Sequence, residues 1–137
     1  MQMTKIGSDG RPIGAPTLAA FLDEKNGLMW AAVDVSEKRM NWKDAKEAAA
    51  KFRGAGFTDW RLPTIEELET LRDRTRHNPA ADPEVGLKSE FYWSSTPAAW
   101  SPGDCAWYVH FGNGYTHYNY QLNTAFVRAV RSARASQ

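Results

Sequence analysis

The alternation of apolar and polar positions predicts a hairpin near the start of the chain. Residues 18–22 are apolar, residues 23–27 hold turn-forming side chains that end in Asn-Gly, and residues 28–33 are apolar again. An Asn-Gly step between two apolar runs is a strong short-range signal for antiparallel strands. Residues 1–17 contain five Gly and Pro residues, and this composition predicts a flexible N-terminal arm.

Two segments show helical spacing. Asn41 is a good N-cap, and an apolar face with helical spacing follows it: Trp42, Ala45, Ala49 and Phe52. We therefore predict a helix over 42–53, with Gly54 as its left-handed C-cap. A capping-box sequence over 64–67 predicts the start of a second helix, which its apolar stripe extends to about 65–74.

The remainder of the chain predicts strands. Residues 91–95, 105–111, 115–120 and 125–131 are rich in aromatic and branched side chains, and turn residues separate them. Helices and strands segregated in this way predict an α+β fold. We expect one domain over 18–132 and a short C-terminal tail over 133–137.

The pairing of the two strands on either side of Asn113-Gly114 has two alternatives. A two-residue turn would place His110 opposite His117 and Tyr108 opposite Asn119. A three-residue loop would shift the register by one and place His117 opposite Val109. In the first alternative one face is polar yet aromatic, and it carries Tyr108, His110, Tyr115, His117 and Asn119. Such a face suits protein recognition or stacking on a sugar ring.

Composition narrows the function classes. The 137 residues carry 17 Lys and Arg against 16 Asp and Glu, so the small net charge favours neither a nucleic acid nor a membrane surface as partner. The single cysteine, Cys105, excludes an intramolecular disulfide and any two-cysteine metal or redox site. No secretion-signal pattern is evident, which favours the cytoplasm; an extracellular location would require that a leader had been removed.

The late part of the chain is more basic than the rest. Residues 1–104 carry 14 basic and 16 acidic side chains, whereas Arg128, Arg131 and Arg134 follow Asp104 with no further acid. One explanation pairs Arg128 and Arg131 with acids on the helices. The alternative is an anionic partner, such as a sulfated glycan or an acidic protein patch.

We find little sign of catalysis, metal or cofactor. Two facing imidazoles, His110 and His117, could ligate zinc, but such a site needs a third or fourth ligand. The motifs of serine hydrolases, zinc metalloproteases and phosphate-binding loops are all missing. Cys105 opens an apolar strand face and is most simply a small buried hydrophobe. We therefore predict no catalytic residue, no bound metal and no cofactor.

Several short motifs resemble a known family. They are Gly27-Leu28-Met29-Trp30, Asp59-Trp60-Arg61-Leu62-Pro63-Thr64 with Glu67, Tyr92-Trp93-Ser94-Ser95-Thr96, Ala106-Trp107-Tyr108-Val109 and Val127-Arg128. Their order and spacing resemble the C-terminal domain family of bacterial collagen-like adhesins, the Lcl C-terminal domain. That family is similar to the formylglycine-generating (sulfatase-modifying-factor) domains, and both have the C-type-lectin-like fold.

The resemblance implies a twisted antiparallel sheet with two flanking helices and a ligand-binding face near the late strands. It implies a structural role for the motif residues Trp60, Arg61, Pro63, Thr64 and Glu67. The paired carboxylate and amide motifs of calcium-binding lectins are missing, and Cys105 stands alone where the formylglycine-generating oxidases use two cysteines.

From these observations we predict a non-catalytic binding module. A protein partner is favoured, for example for a phage or mobile-element accessory protein, and the aromatic content could also support a homo-oligomer. The predicted ligand-binding residues are Tyr108, His110, Tyr115, His117, Asn119 and Trp100. Three alternatives stay open: a glycan-binding adhesin domain that takes a sulfated polysaccharide, a retroelement-diversified variable receptor, and a formylglycine-generating-type oxidase, which the single cysteine disfavours.

Overall fold

The computed structural model describes residues 3–11 and 18–133. Its elements, in chain order, are β1 (Thr4–Gly7), β2 (Leu18–Asp23), β3 (Leu28–Ala31), α1 (Trp42–Lys51), α2 (Ile65–Glu69), a 3-10 turn (Pro83–Val85), β4 (Phe91–Pro97), β5 (Cys105–His110), β6 (Tyr115–Tyr120) and β7 (Val130–Ser132).

The strands form two antiparallel sheets, in the orders β1-β2-β3-β7 and β4-β5-β6. This confirms the α+β class. The expectation of one sheet is wrong, because the last strand returns to the first hairpin: Val130 of β7 pairs with Trp30 of β3. The late strands are thus left as a separate three-stranded sheet.

The N-terminal segment is more ordered than expected. Thr4–Gly7 forms β1, which pairs with β2, and Ile6 lies opposite Ala20 with only 1% of its surface exposed. The flexible-arm prediction is therefore wrong for these residues, since an apolar side chain there completes the core. The other parts of the predicted arm, 1–2 and 12–17, and most of the predicted tail, 134–137, lie outside the described residues.

Both helices begin where the sequence predicts. The Asn41 side chain accepts a hydrogen bond from the Asp44 backbone N–H at 2.9 Å and caps α1. The predicted Gly54 cap is wrong: Phe52 is the C-cap, and the left-handed residues are Ala55 and Gly56. The chain turns there because Gly54 forms a local bridge, its carbonyl accepting from the Phe57 N–H.

The second helix is shorter than the predicted 65–74. It ends at Glu69, and the following residues form turns. The Asp73 N–H donates to the carbonyl of Ala80 at 2.8 Å, which closes the segment after α2 into a loop. The apolar stripe still reaches the core, since Leu71 is only 2% exposed although it lies beyond the helix.

The core lies between the two sheets and on the outer side of each. One cluster joins β3 and β7 to α2 and the inner face of the second sheet. A second cluster packs α1 against the other face of the second sheet, and a third lies under β1, β2 and β3. The strand β6 contributes no buried residue and forms the open edge of its sheet.

Candidate ligand-binding site on the three-stranded sheet

The late hairpin has a register that neither expected alternative contains. His110 pairs with Tyr115 and Tyr108 pairs with His117, so the connection is the four-residue stretch 111–114. Relative to a two-residue turn this is a slip of two positions, and side chains alternate with period two. The predicted polar face is therefore preserved, although His110 and His117 do not face each other directly.

The register aligns aromatic side chains in two rows across the sheet. The first row is Phe91, His110 and Tyr115, and the second row is Trp93, Tyr108 and His117. Residues directly opposite on antiparallel strands share one face. The rings of Trp93 and Tyr108 belong to the second core cluster. The residues of β6 at the end of each row, Tyr115 and His117, are exposed.

A cavity of about 260 Å³ opens at the outer end of these rows. It is lined by Phe91, Tyr108, His110, Asn113, Tyr115 and His117, and we call it the aromatic cleft. The Phe91 ring stacks on Tyr108 with centroids 4.4 Å apart and contacts His110 edge-on at 4.3 Å. Tyr115 is 68% exposed at the rim, and Tyr108 is 7% exposed at the base.

Some of the polar groups around the aromatic cleft bond to one another. Asn113 Oδ1 lies 3.0 Å from His110 Nδ1 and accepts from the Tyr115 N–H at 3.3 Å. Asn119 Nδ2 donates to the Tyr108 hydroxyl oxygen at 3.0 Å. Burial raises the pKa of Tyr108, although the Asn119 hydrogen bond opposes this, so the phenol stays neutral.

The hairpin is anchored from the opposite face by Glu69, the last residue of α2, and by Arg72, three residues further on. The Thr116 hydroxyl donates to Glu69 at 2.6 Å, and Arg72 Nη1 donates to Thr116 Oγ1 at 3.0 Å and to the Gly114 carbonyl at 3.2 Å. These contacts hold the turn and the first residues of β6 in place. From the sequence, Arg72 is only a cation close to the end of a predicted helix. Its hydrogen bonds to the hairpin could not be predicted from the sequence.

Asn119 and His117 have a further role at the free edge of β6. His117 Nδ1 lies 2.9 Å from the Tyr118 carbonyl, and Asn119 Oδ1 accepts from the Tyr120 N–H at 2.8 Å. Both backbone groups belong to residues adjacent in sequence to the side chains that bond them. Two of the predicted ligand residues therefore also cover backbone groups that an edge strand would otherwise offer to a neighbouring chain.

The structure does not bring Trp100 to the aromatic cleft. Its ring meets Trp107 at 5.5 Å and Tyr118 at 4.8 Å, both edge-on, on the opposite face of β5 and β6. There it lines a second depression of about 390 Å³, together with Ser101, Cys105, Tyr118, Asn119 and Tyr120. Four of the six predicted residues thus line the aromatic cleft, whereas Trp100 and Asn119 line the second depression.

Sequence reasoning missed two residues of the aromatic cleft. Phe91 enters through its pairing with His110, a non-local contact that no short motif encodes. From the sequence, Asn113 is assigned only to the turn, because Asn-Gly is a common turn sequence, but its side chain also lines the cleft. The signal that could have found Phe91 is its place at the start of an aromatic strand next to β5.

The motif residues around α2 act structurally. Arg61 donates to both oxygens of Glu67, at 2.6 and 2.8 Å, and Glu67 also closes the capping box by accepting from the Thr64 N–H. The Trp60 indole donates to the Gly54 carbonyl, and the Pro63 carbonyl accepts from Ser95. The motif thus fixes the start of α2 against β4.

The late arginines pair with loop acids, and the expectation of helix acids is wrong. Arg128 is 1% exposed and donates to Asp34 at 3.0 Å and to three backbone carbonyls. Arg131 binds Asp59 through two hydrogen bonds. Both acids lie in loops that border β3 or precede α2, so these two cations are already neutralised within the fold.

Asp34 is the centre of this buried network. It accepts from Arg128, from Lys88 at 2.6 Å and from the Tyr92 hydroxyl. Burial, and then the negative charge of Asp34, raise the pKa of Tyr92 well above its usual range, so the phenol remains a donor. Both Asp34 oxygens accept hydrogen bonds within this network, which indicates that it stabilises the fold.

Other parts of the described structure give less support for a site. A cavity of about 740 Å³ between the β1-β2 pair and residues 76–85 is lined by charges of both signs and by none of the predicted site residues. Cys105 is 6% exposed. Within residues 3–11 and 18–133, no three His, Cys, Asp or Glu side chains gather as metal ligands, and no helix has the length and apolarity needed to cross a bilayer.

The fold and site together define a class: a small α+β domain that displays an aromatic cleft on an anchored edge hairpin. The chain belongs to the Lcl C-terminal domain family, since the family model matches residues 19–131. This confirms the resemblance found in the sequence and places the chain in an adhesin-associated family. A search of curated proteins found no match. The matched residues include the whole site and leave out β1.

Proposed function

We propose that this chain is a non-catalytic ligand-binding domain of C-type-lectin-like fold that recognises a protein partner through the aromatic cleft. The observation that carries the proposal is the aromatic cleft itself: exposed rings on a hairpin that Glu69 and Arg72 anchor by hydrogen bonds. Tyr and His supply large contact area with polar tips and lose little side-chain entropy on binding.

The charge pattern of the hairpin supports a protein as the partner. No Asp, Glu, Lys or Arg occurs between Asp104 and Arg128, although charged residues make up 24% of the chain. The centres of protein interfaces are depleted in charge and enriched in Tyr and Trp. A partner can therefore cover this surface without leaving a formal charge buried and unpaired.

The test compares three forms of the chain as bait in a lysate of the source organism. They are the wild type, a Tyr115→Ala/His117→Ala/Asn119→Ala variant, and a Tyr118→Ala/Tyr120→Ala control on the other face of β6. We expect mass spectrometry to find a protein that the wild type and the control retain and the triple variant loses. The purified partner should then bind the triple variant at least about ten-fold more weakly, as expected when contacts at an interface centre are removed.

Two outcomes would contradict the proposal. If the triple variant retains the partner, the aromatic cleft is not the binding surface. If no protein is retained specifically and a polysaccharide binds instead, the ligand class is wrong while the surface can still be correct.

Glycan binding is the second candidate, and the adhesin association of the family favours it. The ion pairs of Arg128 and Arg131 remove those two cations as contacts for a sulfated chain. We therefore expect any polysaccharide to bind through ring stacking, with an affinity that changes less than about two-fold between low and physiological salt. A steep loss of affinity with salt would instead indicate an ionic glycan site.

A further inference from the structure

The lining of the aromatic cleft restricts the chemistry of its ligand. Five of the six lining residues are ring side chains, and the sixth is Asn113. No carboxylate, ammonium or guanidinium group is among them. The inference below rests on the proposed function, because it concerns the ligand group that the same cleft accepts.

Several hydrogen-bonding groups of the aromatic cleft are already engaged with one another. The Asn113 carbonyl oxygen serves His110 and the Tyr115 N–H, the Tyr108 hydroxyl accepts from Asn119, and His117 Nδ1 bonds the Tyr118 carbonyl. A ligand group with several hydroxyls would compete with these internal bonds for part of its contacts, which costs free energy. A group that needs no hydrogen bond avoids this competition.

Ring faces without competing charges attract cations. A compact cavity of about 260 Å³ has a radius of about 4 Å, which is inside the roughly 6 Å reach of a cation–π contact. A quaternary ammonium has no N–H to satisfy, unlike a lysine ammonium. We propose that the aromatic cleft binds a trimethylammonium group, and that this group is carried by a trimethylated lysine of the protein partner.

The protein source follows from the surroundings of the aromatic cleft. The cleft lies at the turn end of the hairpin, and residues 105–127 include no Asp, Glu, Lys or Arg. The cation that contacts the turn, Arg72, pairs with Glu69 at 3.6 Å, and the hairpin itself carries no Lys or Arg, so little would attract an anionic membrane surface. A protein chain can cover this surface while one of its side chains enters the aromatic cleft.

The first experiment separates charge from shape. The full chain is titrated with choline and with its neutral isostere 3,3-dimethylbutan-1-ol, and backbone amide shifts are followed by NMR. We expect choline to shift the amides of 110–117 and to bind at least about five-fold more tightly than the isostere. Equal binding of the two compounds, or no shift with choline, would overturn the proposal.

Matched variants locate the contact. Tyr115 and Tyr120 lie on the same strand with 68% and 65% exposure, but only Tyr115 lines the aromatic cleft. We expect Tyr115→Leu to weaken choline binding about five-fold or more and Tyr120→Leu to leave it unchanged. Unchanged binding in Tyr115→Leu, or an equal loss in both variants, would overturn the assignment to this cleft.

A final set of probes tests the source of the ligand group. We expect a trimethyl-lysine peptide to bind more tightly than the same peptide with unmodified lysine, and phosphatidylcholine vesicles to show no cosedimentation. Vesicle binding in preference to the peptide would overturn the protein source. Partner capture with the same two tyrosine variants distinguishes the proposed function from the trimethylammonium proposal. If Tyr115→Leu loses the partner while choline does not bind the wild type, the proposed function is supported and the trimethylammonium proposal is wrong.

Discussion

At the residue scale, the Glu67 carboxylate serves the helix end and the sheet together. It accepts from the Thr64 N–H to close the capping box, and it accepts from both terminal nitrogens of Arg61, whose backbone bridges to Val130 in β7. Burial alone would raise the pKa of Glu67, but the hydrogen bonds from Arg61 and Thr64 outweigh it and lower that pKa.

This pKa shift predicts how stability depends on pH. Because the pKa of Glu67 is lower in the folded state than its ordinary value of 4.5, the unfolded state binds more protons as pH falls. The stabilisation is therefore present above about pH 4.5 and is lost as the pH falls through the folded-state pKa. We expect Glu67→Gln to lower the free energy of unfolding by about 1 kcal/mol at pH 7 and by less at pH 3.

Urea unfolding of both proteins at a series of pH values measures this difference. Glu66→Gln is a suitable control, because Glu66 lies beside Glu67 in the first turn of α2 but is exposed and takes no part in the capping box. A difference between Glu67→Gln and wild type that stays constant from pH 7 to pH 3 would show that the carboxylate charge is not what stabilises the motif.

At the element scale, the helix starts and the first hairpin could be predicted because their signals are local. Asn41 and the 64–67 box cap the helices that they precede, and the Asn26-Gly27 step lies between β2 and β3. The hairpin register and the residues of the aromatic cleft depend on longer contacts. Arg72 and Glu69 bind the turn and β6 from another element, and short-range turn rules contain no such information.

The strand β6 yields a second prediction. His117 and Asn119 cover outward-facing backbone groups of an edge strand that itself contains no charged residue. Charges are the usual protection of such edges, so here these two side chains replace them. We expect His117→Val/Asn119→Val to self-associate at concentrations at which the wild type does not change its mass, as measured by sedimentation velocity.

The control is Tyr115→Val, which changes the same strand and face without removing an edge contact. If it self-associates as strongly as the double variant, general surface hydrophobicity and not backbone exposure is responsible. A double variant with the sedimentation behaviour of the wild type would show that the side-chain contacts do not protect the edge.

At the scale of the whole molecule, Arg128 connects parts of the chain that are distant in sequence. Its guanidinium bonds Asp34, the Ala31 carbonyl at the end of β3 and the carbonyls of Val85 and Gly86, and Asp34 in turn bonds Tyr92 of β4. The buried side chain therefore joins the first sheet, the 83–88 segment and the second sheet.

We expect Arg128→Leu to lower the free energy of unfolding by about 3–5 kcal/mol, since it leaves Asp34 and several carbonyls buried without their partner. Arg131→Leu is the matched comparison: its partner Asp59 has a side chain that is 59% exposed, and we expect a loss of about 1 kcal/mol. Denaturant unfolding monitored by tryptophan fluorescence measures both. Losses of equal size would contradict the view that burial makes the Arg128 pair decisive.

The exposure of β6 has a consequence for how binding specificity can change. Thr116 ties the strand to α2, while the other positions place no side chain in the buried core. Substitutions at 115 and 117 can therefore alter the proposed binding surface with little effect on folding. On β6 the proposed recognition residues are not residues that stabilise the core, so a library randomised at these two positions should retain folded members that differ in what they bind.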